Sequence, residues 1–195
     1  MLLDSHPEYI VRKLPRKDFF ALIDPHIKTT FKESFRFPDL QILTDREKQS
    51  MKQLRSVKGE SFRLNLALFK GDKLAGWSFG WQKDSECYYM TNSAILEEHR
   101  RQGLYSALLK KVVEIAREKG FQIIFSRHTA TNNAILVPKL KAGFIISAME
   151  ISDTFGLLIH LRYYTNPLRR KMMDVRCGES KPDSELRGIL GLTDD

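Results

Sequence analysis

The chain has 195 residues, of which 42% are hydrophobic and 29% are charged, a composition that supports one substantial core and excludes a disordered chain. Its formal net charge of +8 suits an anionic ligand, a nucleic acid or an acidic partner, although the basic residues are spread along the chain as on a solvated surface. The two cysteines form no CxxC pair, the five histidines have no metal-ligand spacing, and no signal layout or membrane-length apolar run is present, so we expect a cytoplasmic protein without a metal.

The first part of the chain predicts one strand and two helices. Residues 9–14 alternate as in a β-strand. Residues 16–30 have helical spacing, which we expect Pro25 to break. Residues 31–44 carry phenylalanines without a clean period, and a polar helix is expected over residues 44–59.

The middle of the chain predicts three strands and a long helix. Residues 62–70, 74–82 and 88–95 are rich in β-forming residues and are joined by short turns, which indicates an antiparallel meander. An amphipathic helix begins at Leu104, because apolar residues then recur every three or four positions, and Gly120 ends it.

Two further strand regions follow this helix. Residues 121–125 are apolar nearly throughout, which is typical of a strand buried on both faces, and the long crossover makes it parallel to residues 88–95. A short helix weakened by Pro138 comes next. Residues 144–152 and 155–164 alternate and predict a final hairpin.

The chain divides by composition into one domain over residues 1–165 and a basic helical extension over residues 166–195, packed on the domain or trailing from it. A helix is expected to begin at Asn166-Pro167, with a short packing element at residues 186–192 and a loose end. The basic run could meet RNA, a phosphate or an acidic partner, but we expect a solvated helix that closes against the body.

The turn before the long helix, residues 100–103 (Arg-Arg-Gln-Gly), is the candidate ligand site. The first turn of a helix leaves backbone N–H groups unpaired, and the helix dipole favours an anion there. Arginines next to it add charge and forked donors. Taken alone, the pattern fits an anion site and an ordinary loop with solvated arginines equally well.

The order of these residues resembles a known family. Arg-x-x-Gly at Arg100 to Gly103, after a strand and before a helix, resembles motif A of the GNAT superfamily of acyl-CoA-dependent N-acyltransferases, whose pattern is Gln/Arg-x-x-Gly-x-Gly/Ala. Residues 132–135 (Asn-Asn-Ala-Ile), followed by residues 139–144 ending in Gly-Phe, resemble its second signature. The resemblance covers about residues 9–164 and implies an α+β GNAT fold, with a central mixed, mostly antiparallel sheet, a splayed parallel strand pair and flanking helices.

The resemblance also implies where acetyl-CoA binds. Its pyrophosphate would lie on the backbone N–H groups of residues 102–106, its pantetheine would pair with residues 93–95, and Asn132 or Asn133 would contact the pantetheine or order the short helix. A backbone N–H near Ala94 or Ile95 would stabilise the oxyanion when an amine attacks directly. The expected cofactor-binding residues are Ser93, Ala94, Ile95, Arg100, Arg101, Gln102, Gly103, Leu104, Tyr105, Ser106, Asn132, Asn133 and Lys139.

Two residues depart from the family pattern, and both are candidate proton donors. Tyr105 stands where the family prefers glycine or alanine, so its side chain must point away or narrow the site. Lys139 stands where many members have a tyrosine that protonates the leaving thiolate. We expect Lys139 instead to be a surface residue or a phosphate ligand, so that its replacement by methionine changes the KM for acetyl-CoA rather than kcat. Glu86 and Tyr89 are candidates for a general base, with water as the alternative.

The implied function is an N-acetyltransferase that moves an acetyl group from acetyl-CoA to a primary amine of a small molecule or protein in a ternary complex. A catalytically silent acyl-CoA-binding module of the same fold is the alternative. A nucleic-acid-binding protein is suggested by charge alone, since no RNA-binding or helix-turn-helix motif is present. No membrane partner is expected. The acceptor, the acyl length and a homodimeric state stay open.

Overall fold

The computed structural model describes residues 1–31, 44–46, 48–49 and 61–192, and a mixed sheet is its centre. The strands are β1 (Leu2–Leu3), β2 (His6–Lys13), β3 (Arg63–Lys70), β4 (Lys73–Gln82), β5 (Cys87–Ile95), β6 (Ile123–Thr129), β7 (Ile145–Ser152) and β8 (Gly156–Tyr164). They lie side by side in the order β1-β2-β3-β4-β5-β6-β8-β7. Every neighbouring pair is antiparallel except β5 and β6, which are parallel.

Helices cover both faces of this sheet. They are α1 (Arg16–Thr30), a single 3₁₀ turn (Glu97–His99), α2 (Leu104–Glu118), α3 (Asn133–Lys141), α4 (Pro167–Arg176) and α5 (Ser184–Leu190). On β3, Leu66 and Leu68 join the apolar cluster under α2, whereas Ala67 and Phe69 join the one under α1. Since successive side chains of a strand point to opposite faces, α1 and α2 lie on opposite sides of the sheet.

The antiparallel meander, the final hairpin and the parallel strand pair are confirmed, and so is the α+β fold. Strand β6 begins two residues later than predicted and continues to Thr129, beyond its apolar run. The first strand begins at His6 rather than at residue 9, and β1 was not predicted.

The expected break at Pro25 is wrong, because α1 runs without interruption from Arg16 to Thr30. Pro25 and Ala21 are both exposed, so the Ala21 carbonyl, which has no N–H partner four residues on, can bond to water. Phe19 and Ile23 hold the opposite side of the helix in the core, each with 0% of its surface exposed. Of the helix predicted over residues 44–59, the described residues 45–46 and 48–49 are helical, and the Lys48 N–H donates to the Thr44 carbonyl at 3.0 Å. The rest of that helix, the phenylalanines after Phe31, and the chain end at 193–195 lie outside the described residues.

The parallel pair β5 and β6 is joined over a short distance only. Its pairs are Cys87 with Ile123, Tyr88 with Ile124, and Tyr89 with Phe125. Both strands continue past the last pair, β5 to Ile95 and β6 to Thr129, without pairing to each other. The expected splay is therefore present, and we call the space between β5 from Met90 onward and β6 from Ser126 onward the gap.

Helix α4 contacts the sheet at the joined end of β5 and β6. Asn166 begins α4 as predicted, because its side chain accepts hydrogen bonds from the N–H groups of Leu168 and Arg169. Met173 packs against the apolar cluster formed by Cys87, Ile123, Phe125 and Tyr164. Within the described part of the chain, no helix is long and apolar enough to cross a bilayer.

Candidate functional site

The start of α2 is shaped by two residues with positive φ. Gly103, the N-cap residue, has φ 77°, and Arg101 has φ 59°. A left-handed arginine is uncommon, since most side chains avoid this region, and such conformations concentrate at ligand sites. A Cβ on Gly103 would meet only the His6 ring, at 3.6 Å, so the backbone conformation rather than lack of space requires glycine here.

Strand β2 braces this turn, a contact that sequence reasoning missed. The Gln102 carbonyl accepts a hydrogen bond from His6 Nε2 at 2.6 Å, which places the His6 proton on that nitrogen. The Tyr9 hydroxyl donates to Gln102 Oε1 at 3.2 Å, so it can only accept from His99 Nδ1, at 3.0 Å. The turn is thus fixed before any ligand arrives.

The backbone of this turn offers donors to solvent. Among the described residues, none accepts a hydrogen bond from the N–H groups of residues 102–106. Arg101 is exposed beside them, whereas Arg100 turns back and donates from Nε to the Ile95 carbonyl at 3.0 Å. Unpaired N–H groups, a helix start and a free guanidinium are the features expected of an anion site, which stays a prediction.

The edge of β5 that faces the gap also offers backbone groups. The Leu96 N–H donates to the Ala75 carbonyl at 2.9 Å, so Leu96 directs its backbone groups toward β4. Because these directions alternate along an antiparallel strand, Ala94 also faces β4, whereas Ser93 and Ile95 face the gap. Of the two oxyanion donors named from the sequence, the Ala94 N–H therefore points toward β4 and the Ile95 N–H points toward the gap.

A β-bulge lies in β5 next to the apex of the gap. The pairing with β4 passes from Asn92 opposite Phe79 to Met90 opposite Gly80, so Thr91 is the extra residue. A bulge bends its strand and increases the local twist, which turns β5 away from β6. A side chain on Gly80 would overlap the Tyr89 carbonyl and the Tyr88 ring, so glycine permits this close approach.

Lys139 lies at the apex of the gap. Its ammonium donates to Ser126 Oγ at 2.7 Å and to Met90 Sδ at 3.4 Å, and these two residues directly follow the last pair of β5 and β6. The Phe144 ring lies 5.0 Å from Nζ. The expectation of a surface lysine is wrong, since 0% of Lys139 is exposed. A side chain buried on the inner face of α3 is also not placed to bind phosphate. Leu136, three residues earlier, is the other buried residue of α3. This helical spacing was the signal in the sequence that Lys139 lies on the buried face.

Burial changes the proton affinity of this lysine. Desolvation lowers the pKa of Lys139 from 10.5 to about 7, because the charged form has left water without a carboxylate to pair with. The pKa of His128, whose Nε2 lies 3.1 Å from Ser126 Oγ, falls to about 3 through desolvation and the nearby charge of Lys139. Near pH 7, Lys139 is therefore divided between its charged and neutral forms, and His128 stays neutral.

The other candidate acid and base residues lie in different surroundings. The Tyr105 hydroxyl is buried and has no hydrogen-bond partner among the described residues, and desolvation raises its pKa above the ordinary value. Its ring packs against the core cluster, so it points away from the turn and leaves the backbone accessible. Glu86 is ion-paired to Arg169 at 2.6 Å at the joined end of the strands, away from the gap. Tyr89 accepts a weak hydrogen bond from Arg127 at 3.4 Å.

The two asparagines lie at the start of α3. Asn132 is its N-cap residue, but its side chain makes no capping hydrogen bond, and Asn133 is exposed in the first turn. The Asn132 carbonyl accepts from the N–H groups of Ile135 and Leu136, as in any helix start. The Asn132 side chain is therefore available to a ligand.

The opposite face of the sheet carries a charged cluster near the gap. Arg127 contacts both Glu150 oxygens, at 2.9 and 3.0 Å, and His160 contacts Glu150 at 2.5 Å. Arg127 and His160 hold the pKa of Glu150 below its ordinary value, so this carboxylate stays charged. On β6 Arg127 alternates with Ser126, so Lys139 and this cluster lie on opposite faces of the sheet. Among the described residues, no group of three His, Cys, Asp or Glu side chains forms a metal site.

Comparisons with known proteins agree with this geometry. The sequence pattern of the Acetyltransferase (GNAT) family matches residues 25–144. A comparison with curated proteins finds no match. Solved structures show the same fold at low identity. The protein yncA from Salmonella typhimurium, solved with its cofactor acetyl-CoA, is 14% identical with a TM-score of 0.60, over 82% of this chain and 95% of that one.

Two further structures have known acceptors. The ribosomal-protein-S18-alanine N-acetyltransferase of Escherichia coli is 20% identical, with a TM-score of 0.56, over 80% of this chain and 93% of its own. The spermidine N-acetyltransferase of Vibrio cholerae, in complex with CoA and spermine, is 10% identical, with a TM-score of 0.58, over 80% of this chain and 95% of its own. At these identities the likeness concerns the fold.

Proposed function

Because the chain belongs to the acetyltransferase (GNAT) family, we propose that it transfers an acetyl group from acetyl-CoA to a primary amine by direct attack in a ternary complex. The observation that carries the proposal is the position of the Lys139 ammonium, which touches Met90 and Ser126 where β5 and β6 separate. A proton donor buried at the apex of a backbone-lined gap suits a reaction that expels a thiolate there.

The α2 turn binds the pyrophosphate of acetyl-CoA in this proposal. The unpaired N–H groups of residues 102–106 contact the phosphate oxygens, and the exposed Arg101 adds a charged donor. The bracing from His6 and Tyr9 supports this role, because preorganised donors lose little freedom when the ligand binds. The Asn132 side chain, free of a capping bond, contacts the pantetheine.

The gap-facing backbone of β5 orients the thioester. Acetyl-CoA supplies the acetyl thioester and the thiolate leaving group. Ser93 and Ile95 present N–H groups toward the gap and orient the pantetheine there. Ile95 lies roughly 15 Å along the strand from Met90, which contacts Lys139, so its N–H is too far from that ammonium to bind the oxyanion of the same thioester. Holding two reactants together can lower a barrier by roughly 7–11 kcal/mol, so orientation is the main contribution of the protein.

Lys139 donates the proton that the leaving thiolate takes up. A thiol has a reference pKa of about 8.5, so a lysine with a pKa of about 7 can protonate a thiolate near neutral pH. In the balanced reaction an ammonium and a thioester give an amide, a thiol and one released proton, and Lys139 regains its own proton from solvent or from the acceptor. Tyr105 is the second candidate donor.

The acceptor is a primary amine of a small molecule or of a protein. The E. coli neighbour acts on an alanine of a ribosomal protein and the Vibrio neighbour on spermidine, so both kinds of acceptor occur on this fold. In this proposal the acceptor approaches from the face of Tyr89 and Arg127, because α3 with the buried Lys139 covers the other face of the sheet there.

The proposal is tested by binding and turnover together. Calorimetry should give saturable acetyl-CoA binding that weakens with salt, and a panel of polyamines, amino acids, aminoglycosides and peptides should contain an amine that releases CoA thiol. Binding without thiol release across the panel would favour the silent acyl-CoA module. If oligonucleotides but not acetyl-CoA stabilise the folded protein, that result would contradict both the acetyltransferase and the silent acyl-CoA module.

A further inference from the structure

We propose that Ser126 and His128 are positioning residues that hold the Lys139 ammonium at the apex of the gap and keep its proton in place. The proposal rests on the proton-donor role of Lys139 given above. Neither residue belongs to the motifs that identify the family in this sequence. Both lie on β6 beyond its last pair with β5, on the face that carries α3.

The hydrogen bonds of this trio, Lys139, Ser126 and His128, leave one direction in which the buried Ser126 proton has an acceptor among the described residues. An ammonium has no lone pair, so Ser126 Oγ must accept from Lys139 Nζ across their 2.7 Å contact. The hydroxyl proton of Ser126 is then free to be donated to His128 Nε2, 3.1 Å away. His128 accepts only as a neutral ring that carries its proton on Nδ1. The chain therefore runs from Lys139 through Ser126 to His128.

The environment holds His128 in the form that this direction needs. Protonation of His128 would place a second cation behind Ser126, and burial together with the Lys139 charge lowers the pKa of His128 to about 3. His128 thus stays an acceptor throughout the physiological pH range. It orients the serine hydroxyl so that the oxygen lone pairs face the ammonium.

Few other groups act on the Lys139 charge. Strand β5 presents only the Met90 sulfur, and the residue before β7 presents the Phe144 ring. Helix α2 contributes Tyr105 and β8 contributes Tyr163 to the same apolar cluster. Desolvation is the influence that lowers the pKa of Lys139, and no carboxylate opposes it among the described residues. Ser126 Oγ is therefore the one oxygen acceptor that holds the ammonium in the described part of the chain.

The proton affinity of Lys139 depends on the Ser126 oxygen. Removing the serine oxygen leaves the ammonium with a sulfur and an aromatic ring, which are weaker acceptors than a hydroxyl. Ser126→Ala should therefore lower the pKa of Lys139 by about one pH unit or more. Ser126→Thr keeps the hydroxyl and should restore the native value. His128→Leu should shift the pKa in the same direction by less, and His128→Gln, which keeps an acceptor near the Nε2 position, should not.

The direct experiment is an NMR titration of the ¹³C-labelled lysine ε-carbons in the full chain, with the Lys139 signal assigned by Lys139→Arg. Ser78→Ala is the matched control, because Ser78 is a buried, hydrogen-bonded serine on β4, away from Lys139. A Lys139 pKa that stays unchanged in folded Ser126→Ala, or that moves equally in Ser78→Ala, overturns the positioning role. Circular dichroism checks that each variant is folded.

Kinetics separate this proposal from the one on which it rests. With an amine acceptor from the panel, the alkaline fall of kcat should begin at lower pH in Ser126→Ala, by the same amount as the NMR pKa. If Lys139→Met keeps the wild-type kcat, the proton-donor role fails and the catalytic meaning of the trio fails with it. If Lys139→Met loses kcat while Ser126→Ala keeps both the pKa and the pH profile, only the positioning role fails.

Discussion

Replacing Lys139 by methionine should make the protein more stable at neutral and acidic pH, even though it removes the proposed proton donor. Among the described residues, Lys139 is the one buried charged residue, with 0% of its surface exposed, and Ser126 Oγ is the only oxygen that its ammonium contacts. Methionine has a similar length and is apolar, so it fits the same space without a charge to desolvate. A residue that lowers stability at this position is consistent with a functional role.

The magnitude follows from the proton affinity of Lys139. Its pKa falls from 10.5 to about 7 on folding. Each pH unit corresponds to about 1.36 kcal/mol, so burial of the charged form costs about 5 kcal/mol, an upper bound for the gain of the methionine variant. The lost hydrogen bond to Ser126 offsets part of this, by about 1.5–3 kcal/mol for a charged donor. We expect a net gain of about 2–3.5 kcal/mol below pH 7.

The sign of the stability difference between the two proteins, and the pH range over which it changes, distinguish loss of a buried charge from a simple change in packing. Between about pH 7 and about pH 10.5 the unfolded chain binds one more proton at this lysine than the folded chain, so the wild-type stability rises with pH relative to the variant. Above this window the lysine is neutral in both states and the penalty disappears. Below it, the penalty is constant and complete.

Urea unfolding of both proteins at several pH values between about 6 and 10 gives the required free energies. Lys141→Met is the matched control, because Lys141 lies on the same helix but is exposed, and its stability change should stay within about 0.5 kcal/mol at every pH. The reasoning is refuted if Lys139→Met is less stable than wild type below pH 7, or if the difference between the two proteins does not change with pH.

Three further predictions concern the acetyl-CoA site. Gly103→Val should lose measurable acetyl-CoA affinity by calorimetry, whereas Gly120→Val, which has the same left-handed strain at the other end of α2, should lose about as much stability but keep affinity. Asn132→Ala should weaken acetyl-CoA binding with little change in unfolding free energy, because its side chain caps nothing, whereas Asn166→Ala should cost about 1 kcal/mol of stability without touching affinity. Arg101→Ala should reduce the affinity less than Gly103→Val and flatten its salt dependence, and unchanged affinity and salt dependence would remove the arginine from the site.

The fold follows largely from periodicity in the sequence. Strand and helix periods predict the β3–β5 meander, the α2 helix and the final hairpin because each depends on local pattern and short turns. The apolar run at residues 121–125 predicts a buried parallel strand, but β6 continues through the polar residues Ser126, Arg127 and His128. These residues lie beside the gap, where one neighbouring strand is missing, so a continuous apolar pattern is not required of them.

The backbone turn of the candidate site could be predicted from the sequence, whereas the positions of its side chains could not. The glycine turn at 100–103 depends on local backbone geometry alone, so the spacing of residues in the sequence is enough to predict it. The bracing of Gln102 by His6 joins residues 96 positions apart, and local patterns carry no information on such a contact. Lys139 was misplaced because a lysine is normally exposed. Its spacing from Leu136 would have indicated the inner face, had the helical period been weighed above residue type.

The most direct test of the proposed mechanism is the turnover of Lys139→Met near pH 6.5, measured as CoA thiol release with the amine found in the panel. We expect kcat and kcat/KM to fall together by about 10²-fold, the lower end of the range for general acid catalysis, while calorimetry gives an acetyl-CoA affinity close to wild type. A variant that keeps wild-type kcat, or that changes only the KM for acetyl-CoA, would contradict the role of Lys139 as proton donor at the apex of the gap.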